Sequence, residues 1–396
     1  MSTSSQPSGA PEPHLSSAGR LPVVVLAGMT RPDTAVVEGA LAFSLPGTAV
    51  LRHEIDLTRG VLTRCLSDHG GVVERVEIPL EHACLTCALR YEIVPMLLRL
   101  KDAGQHESVV VSLPLAADPA PVVRGIRDMV IGSRRAVAHL EVARVVVALD
   151  GQAVVDDVFG DDLLRERDEE GFPGDARAWG EALAAQLEYA DVLALADGST
   201  SEEAAALLDA LRRPGSRVVP EVSTLVPADL LGGRRDHRAA EQWVHPLTRS
   251  AGPTGLPGDD APSDAVAAFA PAEGIWSVVL DTWRPFHPGR LMRDLEHLGG
   301  GGLRGRGCFW LPTRPGGVGV WDGSGGQLSI GTSGTWEGRR PRTRVVVTGR
   351  GEGQQQVAAA LRGALLTDAE LAGGLGGWVG LDDEFDPWLG RYSDIA

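Results

Sequence analysis

Cys84 and Cys87 are the side chains whose type and spacing point most directly to chemistry. In a C-x-x-C pair at the start of a helix both thiolates can converge on one ion, and the helix N-terminus lowers the thiol pKa and favours deprotonation. Zinc is the natural candidate. A tetrahedral zinc site wants four ligands, so His82, Glu81 or residues of another protein would have to complete it, with His82 the first choice. Two other readings stay open: a redox dithiol, which shares the spacing, and a pair of small buried side chains. Four cysteines in 396 residues are too few for a disulfide scaffold. Cys65 and Cys308 read as structural. His287, between Phe286 and Pro288, is as readily a packing residue as a ligand, and His53, His69, His106, His139 and His297 lack metal spacing.

The second place where chemistry is expected is the turn after the first apolar run. The segment Gly28-Met29-Thr30-Arg31-Pro32-Asp33-Thr34-Ala35 stands where G-x-x-x-x-G-K-[ST] would cradle phosphates. Asp33 replaces the second glycine, Thr34 the lysine and Ala35 the magnesium-binding hydroxyl. Such a loop works by aiming backbone N–H groups and a lysine at an anion near a helix N-terminus. Asp33 puts negative charge there instead, and its structural role would be an N-cap. The phosphate loop is therefore degenerate at Gly28, Asp33 and Thr34, and GTP is not an expected cofactor.

Several elements must position these residues. Leu21–Ala27 reads as a buried strand and Thr34–Ser44 as a helix. Strands follow at Ala49–Asp56 and Gly71–Ile78, a helix at Leu85–Lys101 and a buried strand at Ser108–Leu113. Val142–Asp150, Tyr189–Ala196 and Arg217–Glu221 read as further strands, with a helix over Arg177–Glu188. Strands alternating with helices predict an α/β fold with a doubly wound, mostly parallel sheet. Residues 1–20 read as a disordered tail, 21–225 as the first domain, 226–272 as a linker and 273–396 as a smaller α+β domain. Asp156–Gly174 reads as an exposed loop. The net charge of −16 and the absence of a dense Lys/Arg stripe argue against direct nucleic-acid binding. The lack of an apolar leader or a long apolar window predicts a cytoplasmic protein with no membrane span.

Further motifs carry a family resemblance. Ala117–Pro121 within Ser112-Leu113-Pro114-Leu115-Ala116-Ala117-Asp118-Pro119-Ala120-Pro121 resembles the CobW-type GTPase segment E-T-T-G-L-A-D-P-A-P. Trp283–Leu291 resembles that family's R-P-F-H-P-x-R-L, and Leu303–Leu311 and Gly334-Thr335-Trp336 resemble its later segments. The resemblance implies a P-loop GTPase-type domain followed by a CobW C-terminal-like domain. It also implies a metal role for Cys84 and Cys87, the family's C-x-C-C having Thr86 at its centre here. The family's Walker B acid and switch glycine are replaced by Ser112 and Leu115. Its guanine-reading N-K-x-D is replaced by Ala196-Asp197-Gly198-Ser199, so efficient GTP hydrolysis and catalytic residues are not expected. The eroded P-loop, the C-x-x-C and the late Asp382–Trp388 segment are most similar to a mycobacterial branch. That branch implies a zinc-responsive protein that recruits a ribosome hibernation factor, and through it the ribosome, under zinc starvation. The alternative is a zinc metallochaperone that binds GTP and delivers zinc to a client.

Overall fold

The computed structural model describes residues 19–79, 85–169, 174–247, 265–272 and 274–391. Its first layer is an eight-stranded sheet. The strands are β1 (Leu21–Gly28), β2 (Thr48–Asp56), β3 (Val61–Asp68), β4 (Gly71–Pro79), β5 (Ser108–Ser112), β6 (Leu140–Leu149), β7 (Val192–Leu195) and β8 (Arg217–Val219). They lie in the order β8-β7-β6-β1-β5-β2-β3-β4. All neighbours from β8 to β2 are parallel, whereas β2, β3 and β4 form an antiparallel meander.

The apolar runs explain the arrangement. LPVVVLAG in β1 and SVVVS in β5 are buried on both faces, as central strands of a covered parallel sheet must be. The helices α1 (Arg31–Ser44), α2 (Leu85–Ala103), α3 (Ala120–Asp128), α4 (Val154–Phe159), α5 (Trp179–Tyr189) and α6 (Glu202–Leu211) connect these strands. The doubly wound α/β expectation holds. Strand β3 escaped the sequence reading because its polar positions, Thr63, Arg64 and Ser67, break up the apolar run.

Two expectations are corrected. The span 226–272 is not a plain linker: it holds α7 (Pro227–Leu231), α8 (His237–Val244) and strand β9 (Ala265–Ala272). Its Gly/Pro/Asp content hid the fact that Leu230, Ala240 and Trp243 supply buried anchors. Asp156–Gly174 is likewise more than an exposed loop, because α4 buries Val158 and Phe159 and the next turn buries Leu164.

The second domain is a six-stranded antiparallel sheet of β9 with β10 (Ile275–Thr282), β11 (Leu303–Phe309), β12 (Gly317–Ser324), β13 (Gln327–Thr335) and β14 (Thr343–Arg350). Its order is β9-β10-β14-β11-β12-β13. Helices α9 (Pro288–Gly299) and α10 (Gln354–Ala364) share a core with it through Leu291, Leu361, Phe309 and Trp321. The domains meet across α4 and α5. Glu188 of α5 is ion-paired with Arg304 at 2.9 Å and with Arg306 at 2.8 Å, all three side chains being at most 4% exposed. The Ser324 hydroxyl donates to the Val158 carbonyl at 3.3 Å, and Arg306 lies 4.8 Å from the Trp243 ring centre.

Candidate functional site

In an open parallel sheet, ligands sit beyond the carboxyl ends of the strands. Four connections converge on that edge here: the turns after β1, β5, β6 and β7. The turn after β1 is only Met29-Thr30, because α1 already begins at Arg31. Thr30, not Asp33, is the N-cap. Its hydroxyl accepts from Asp33 N at 3.3 Å and donates back to the Asp33 carboxylate. The helix wins because Thr30 caps it well and Pro32 in its first turn has its backbone dihedral set for helix. The Thr34 hydroxyl donates to the Thr30 carbonyl at 2.7 Å and stands so close to Gly28 that a Cβ there would strike it. Side chains and helix thus fill the space in which a phosphate loop would curl.

The electrostatics oppose an anion as well. Burial pushes the Asp33 carboxyl up, and the charges of Asp150, Asp197 and Asp157 push in the same direction against the hydrogen bond from Thr30. Glu169 is raised to about 7 by burial and then by Asp168. Several carboxylates therefore share the edge where a triphosphate would have to bring negative charge of its own.

The loop after β5 is pinned. Ala116 N–H donates to the Gly28 carbonyl at 3.0 Å, the Gln186 amide donates to the Ala117 carbonyl at 2.9 Å, and Arg177 reaches the Ala116 carbonyl at 3.4 Å. Ser112, where the family carries an acid, has a buried hydroxyl with no hydrogen-bond partner. The loop after β7 turns inward, with Asp197 accepting from Gly151 N at 3.2 Å and Gln152 donating to the Ser199 hydroxyl at 3.0 Å. Gly151 lies so near the Ser199 carbonyl that no Cβ fits between them. A close backbone-to-backbone approach thus holds the turns after β6 and β7 together.

Of the expected metal ligands, His82 and Cys84 lie outside the described residues. Cys87 enters through its backbone, in the first turn of α2. Cys65 on β3 and Cys308 on β11 are free thiols. Burial pushes the Cys308 thiol up to about 11, which suits a packing role, as expected. Among the described residues no group of three or more His, Cys, Asp or Glu side chains could hold a metal ion.

His287 caps α9: its Nδ1 accepts from Arg290 N at 3.3 Å, and its ring stands edge-on to Trp378 at 5.2 Å. That settles its two readings in favour of structure. The burial of His53 is not legible from its lack of metal spacing. His53 is 1% exposed on β2, and burial, helped by the nearby charge of Arg64 and opposed by the backbone at Ser112, lowers its pKa to about 3. Period-two alternation with Ala49 and Leu51, both core residues, was the available signal.

Comparison with known proteins agrees with this architecture. Residues 275–365 match the cobalamin synthesis protein cobW C-terminal domain. A protein of Mycobacterium tuberculosis named as a zinc chaperone is 27% identical over 332 residues, covering 80% of this chain and 74% of that protein. The zinc-regulated GTPase metalloprotein activator 1 of Dictyostelium discoideum is 21% identical over 395 residues, covering 89% of this chain and 78% of its own. The Zn(II)-bound YjiA GTPase of E. coli aligns with 87% of this chain and 99% of its own at 15% identity and a TM-score of 0.32. A mostly parallel α/β domain is joined here to a cobW C-terminal domain. This chain carries that C-terminal domain and is similar over most of its length to relatives named for zinc. Among the described residues no helix is long and apolar enough to cross a membrane.

Proposed function

We propose that this protein is a zinc-responsive adaptor that recruits a ribosome hibernation factor to ribosomes when zinc is scarce, without efficient GTP hydrolysis. The observation that carries the second half of this reading is the filled, acidic carboxyl edge of the first sheet. With α1 starting at Arg31 and Asp33 beside Asp150, Asp157 and Asp197, a nucleotide cycle has no seat, and function passes to binding. Zinc-named relatives support the metal, and Cys84 and Cys87, with His82 as third ligand, are the residues proposed to hold it. Thiolates supply soft, charged ligands, and occupancy or loss of the ion would bias two conformations of the segment that carries them. Zinc is then a signal, and the hibernation factor the partner through which the ribosome is reached.

A second reading, a zinc chaperone that delivers its ion to a client, is favoured by the name of the mycobacterial relative. Three measurements separate the two. Labelled GTP should show no saturable binding. Zinc titration should show a site that Cys84→Ser/Cys87→Ser removes. Affinity capture from zinc-starved cells, compared with zinc-replete ones, should bring down the hibernation factor and ribosomes. Capture of neither sinks the recruiting role, while rapid GTP turnover sinks the claim of a silent nucleotide site. Zinc transfer to a purified client with GTP dependence would establish the chaperone reading instead.

A further inference from the structure

We infer that the arginine-lined cleft at the amino edge of the first sheet, opposite the decayed nucleotide edge, binds a small phosphate- or carboxylate-bearing anion. The cleft has a volume of about 460 Å³ and lies where β6, β7 and β8 begin. Arg144, Arg213, Arg217, Arg234 and Arg235 line it, against Asp191, Asp229 and Asp236. In a chain with a net charge of −16, a pocket with more guanidinium than carboxylate runs against the composition.

The partners of these charges define the imbalance. Asp191 serves two arginines: it is ion-paired with both Arg213 and Arg235, whose side chains are 7% and 0% exposed. The same carboxylate accepts from Val145 N at 2.6 Å. Arg235 gains the Tyr189 carbonyl at 3.0 Å and the Tyr189 ring at 4.5 Å, which are dipole and quadrupole contacts, not countercharges. The Nε atoms of Arg213 and Arg235 are buried without a hydrogen-bond partner. Burying two guanidiniums against one carboxylate costs desolvation that the shared charge only partly offsets.

The surrounding groups do not make up the difference. Asp229 is paired with Arg217, and Glu141 is shared between Arg234 at 3.3 Å and Arg20 at 3.1 Å, so that carboxylate too serves two arginines. Asp236 caps α8 by accepting from Ala239 N at 2.9 Å. Among the described residues Arg144 donates to carbonyls alone, those of Ala143 at 2.7 Å, Gly232 at 3.0 Å and Gly233 at 3.2 Å. A neighbouring hollow of about 160 Å³ shares Arg234 and Arg235 and adds Arg20 beside Glu141, with Arg127 already paired with Asp128 at 2.8 Å. Guanidinium forks match phosphate and carboxylate oxygens in pairs, so an oxyanion of a few ångströms is the chemistry that would complete the set. The cleft's size selects a small ligand over a nucleic-acid backbone.

The test is thermal unfolding and isothermal titration of the full chain with inorganic phosphate and, separately, with citrate, each against sodium chloride at equal ionic strength. The expected result is a saturable rise in Tm of about 2 °C or more well above Kd, absent with chloride. Whichever of phosphate and citrate binds more tightly identifies the ligand class. Arg217→Gln/Arg234→Gln removes two exposed guanidiniums and should weaken the measured Kd at least tenfold. Titration below the unfolding transition reads that loss even if the variant melts earlier. Equal shifts with chloride, or full affinity in the double variant, overturn the site. Cys84→Ser/Cys87→Ser should leave anion binding unchanged, so this result stands or falls separately from the zinc reading.

Discussion

The carboxyl edge of the first sheet and the motif-bearing rim of the second domain have met opposite fates. At the first, Asp33, Thr34 and Ala35 stand where a phosphate signature would have glycine, lysine and a hydroxyl, while the valine-rich runs of β1, β5 and β6 around them are buried. At the second, the family motifs survive, and their side chains are clasps. Phe286 fills the core, His287 caps α9, and Arg290 is paired with Glu370 at 2.8 Å and reaches the Leu365 carbonyl at 2.7 Å. Asp383 of the late segment accepts from Arg314 Nε at 2.7 Å, and Phe385 is buried beside it. Ligand-binding residues can be exchanged without cost to packing, whereas clasp residues cannot, because their loss strands buried partners. The motif residues of the second domain therefore serve stability, whereas the departures in the first are what the proposed nucleotide-independent role rests on.

The largest test of this contrast lies where the domains join. Glu188→Ala leaves Arg304 and Arg306 buried without their shared carboxylate, so a loss of about 3–5 kcal/mol is expected in denaturant titration. A loss below ~1 kcal/mol would mean that the domains are not coupled through this group. The next effect belongs to His53. Its folded pKa of about 3 lies below the ordinary 6.5, so the unfolded chain binds the extra proton between those values. Stability is full above 6.5 and falls as pH drops, by about 2 kcal/mol from pH 7 to 5. His53→Leu should flatten that part of the profile, and an unchanged slope would refute the assignment.

Removing the cap with Thr30→Ala should cost about 1 kcal/mol, seen as a lowered unfolding midpoint. The smallest expected effect is none at all. Asp33→Gly/Thr34→Lys/Ala35→Thr restores the letters of the phosphate signature but not the loop, so labelled GTP should still fail to bind. Saturable binding by that variant would show that the edge lost only side chains, and would break the comparison.

The alternation of apolar runs made the parallel sheet legible, and Gly28–Ala35 announced the missing phosphate chemistry without coordinates. Other features depended on long-range burial that no local pattern carries. Arg304 and Arg306 read as ordinary strand polar residues until Glu188, more than a hundred positions away, is placed against them. The arginine cleft draws on residues from 144 to 239 for the same reason. Thr30 was hidden because Asp33 offers the same capping chemistry three residues later, and only the helix start distinguishes them. For the cysteine pair, the argument rests on spacing and resemblance, since Cys84 lies outside the described residues.

The early start of α1 has an evolutionary consequence. The Thr34 N–H bonds to the Thr30 carbonyl at 3.2 Å, so the first turn closes over residues that a phosphate loop would leave open. Undoing it means unwinding nearly a full turn of 3.6 residues, or inserting new ones, which single-letter changes cannot do. The change works as a ratchet: single-letter drift can alter what this chain binds, but on the proposed reading the road back to a nucleotide-driven cycle needs several concerted changes that reopen the first turn of α1.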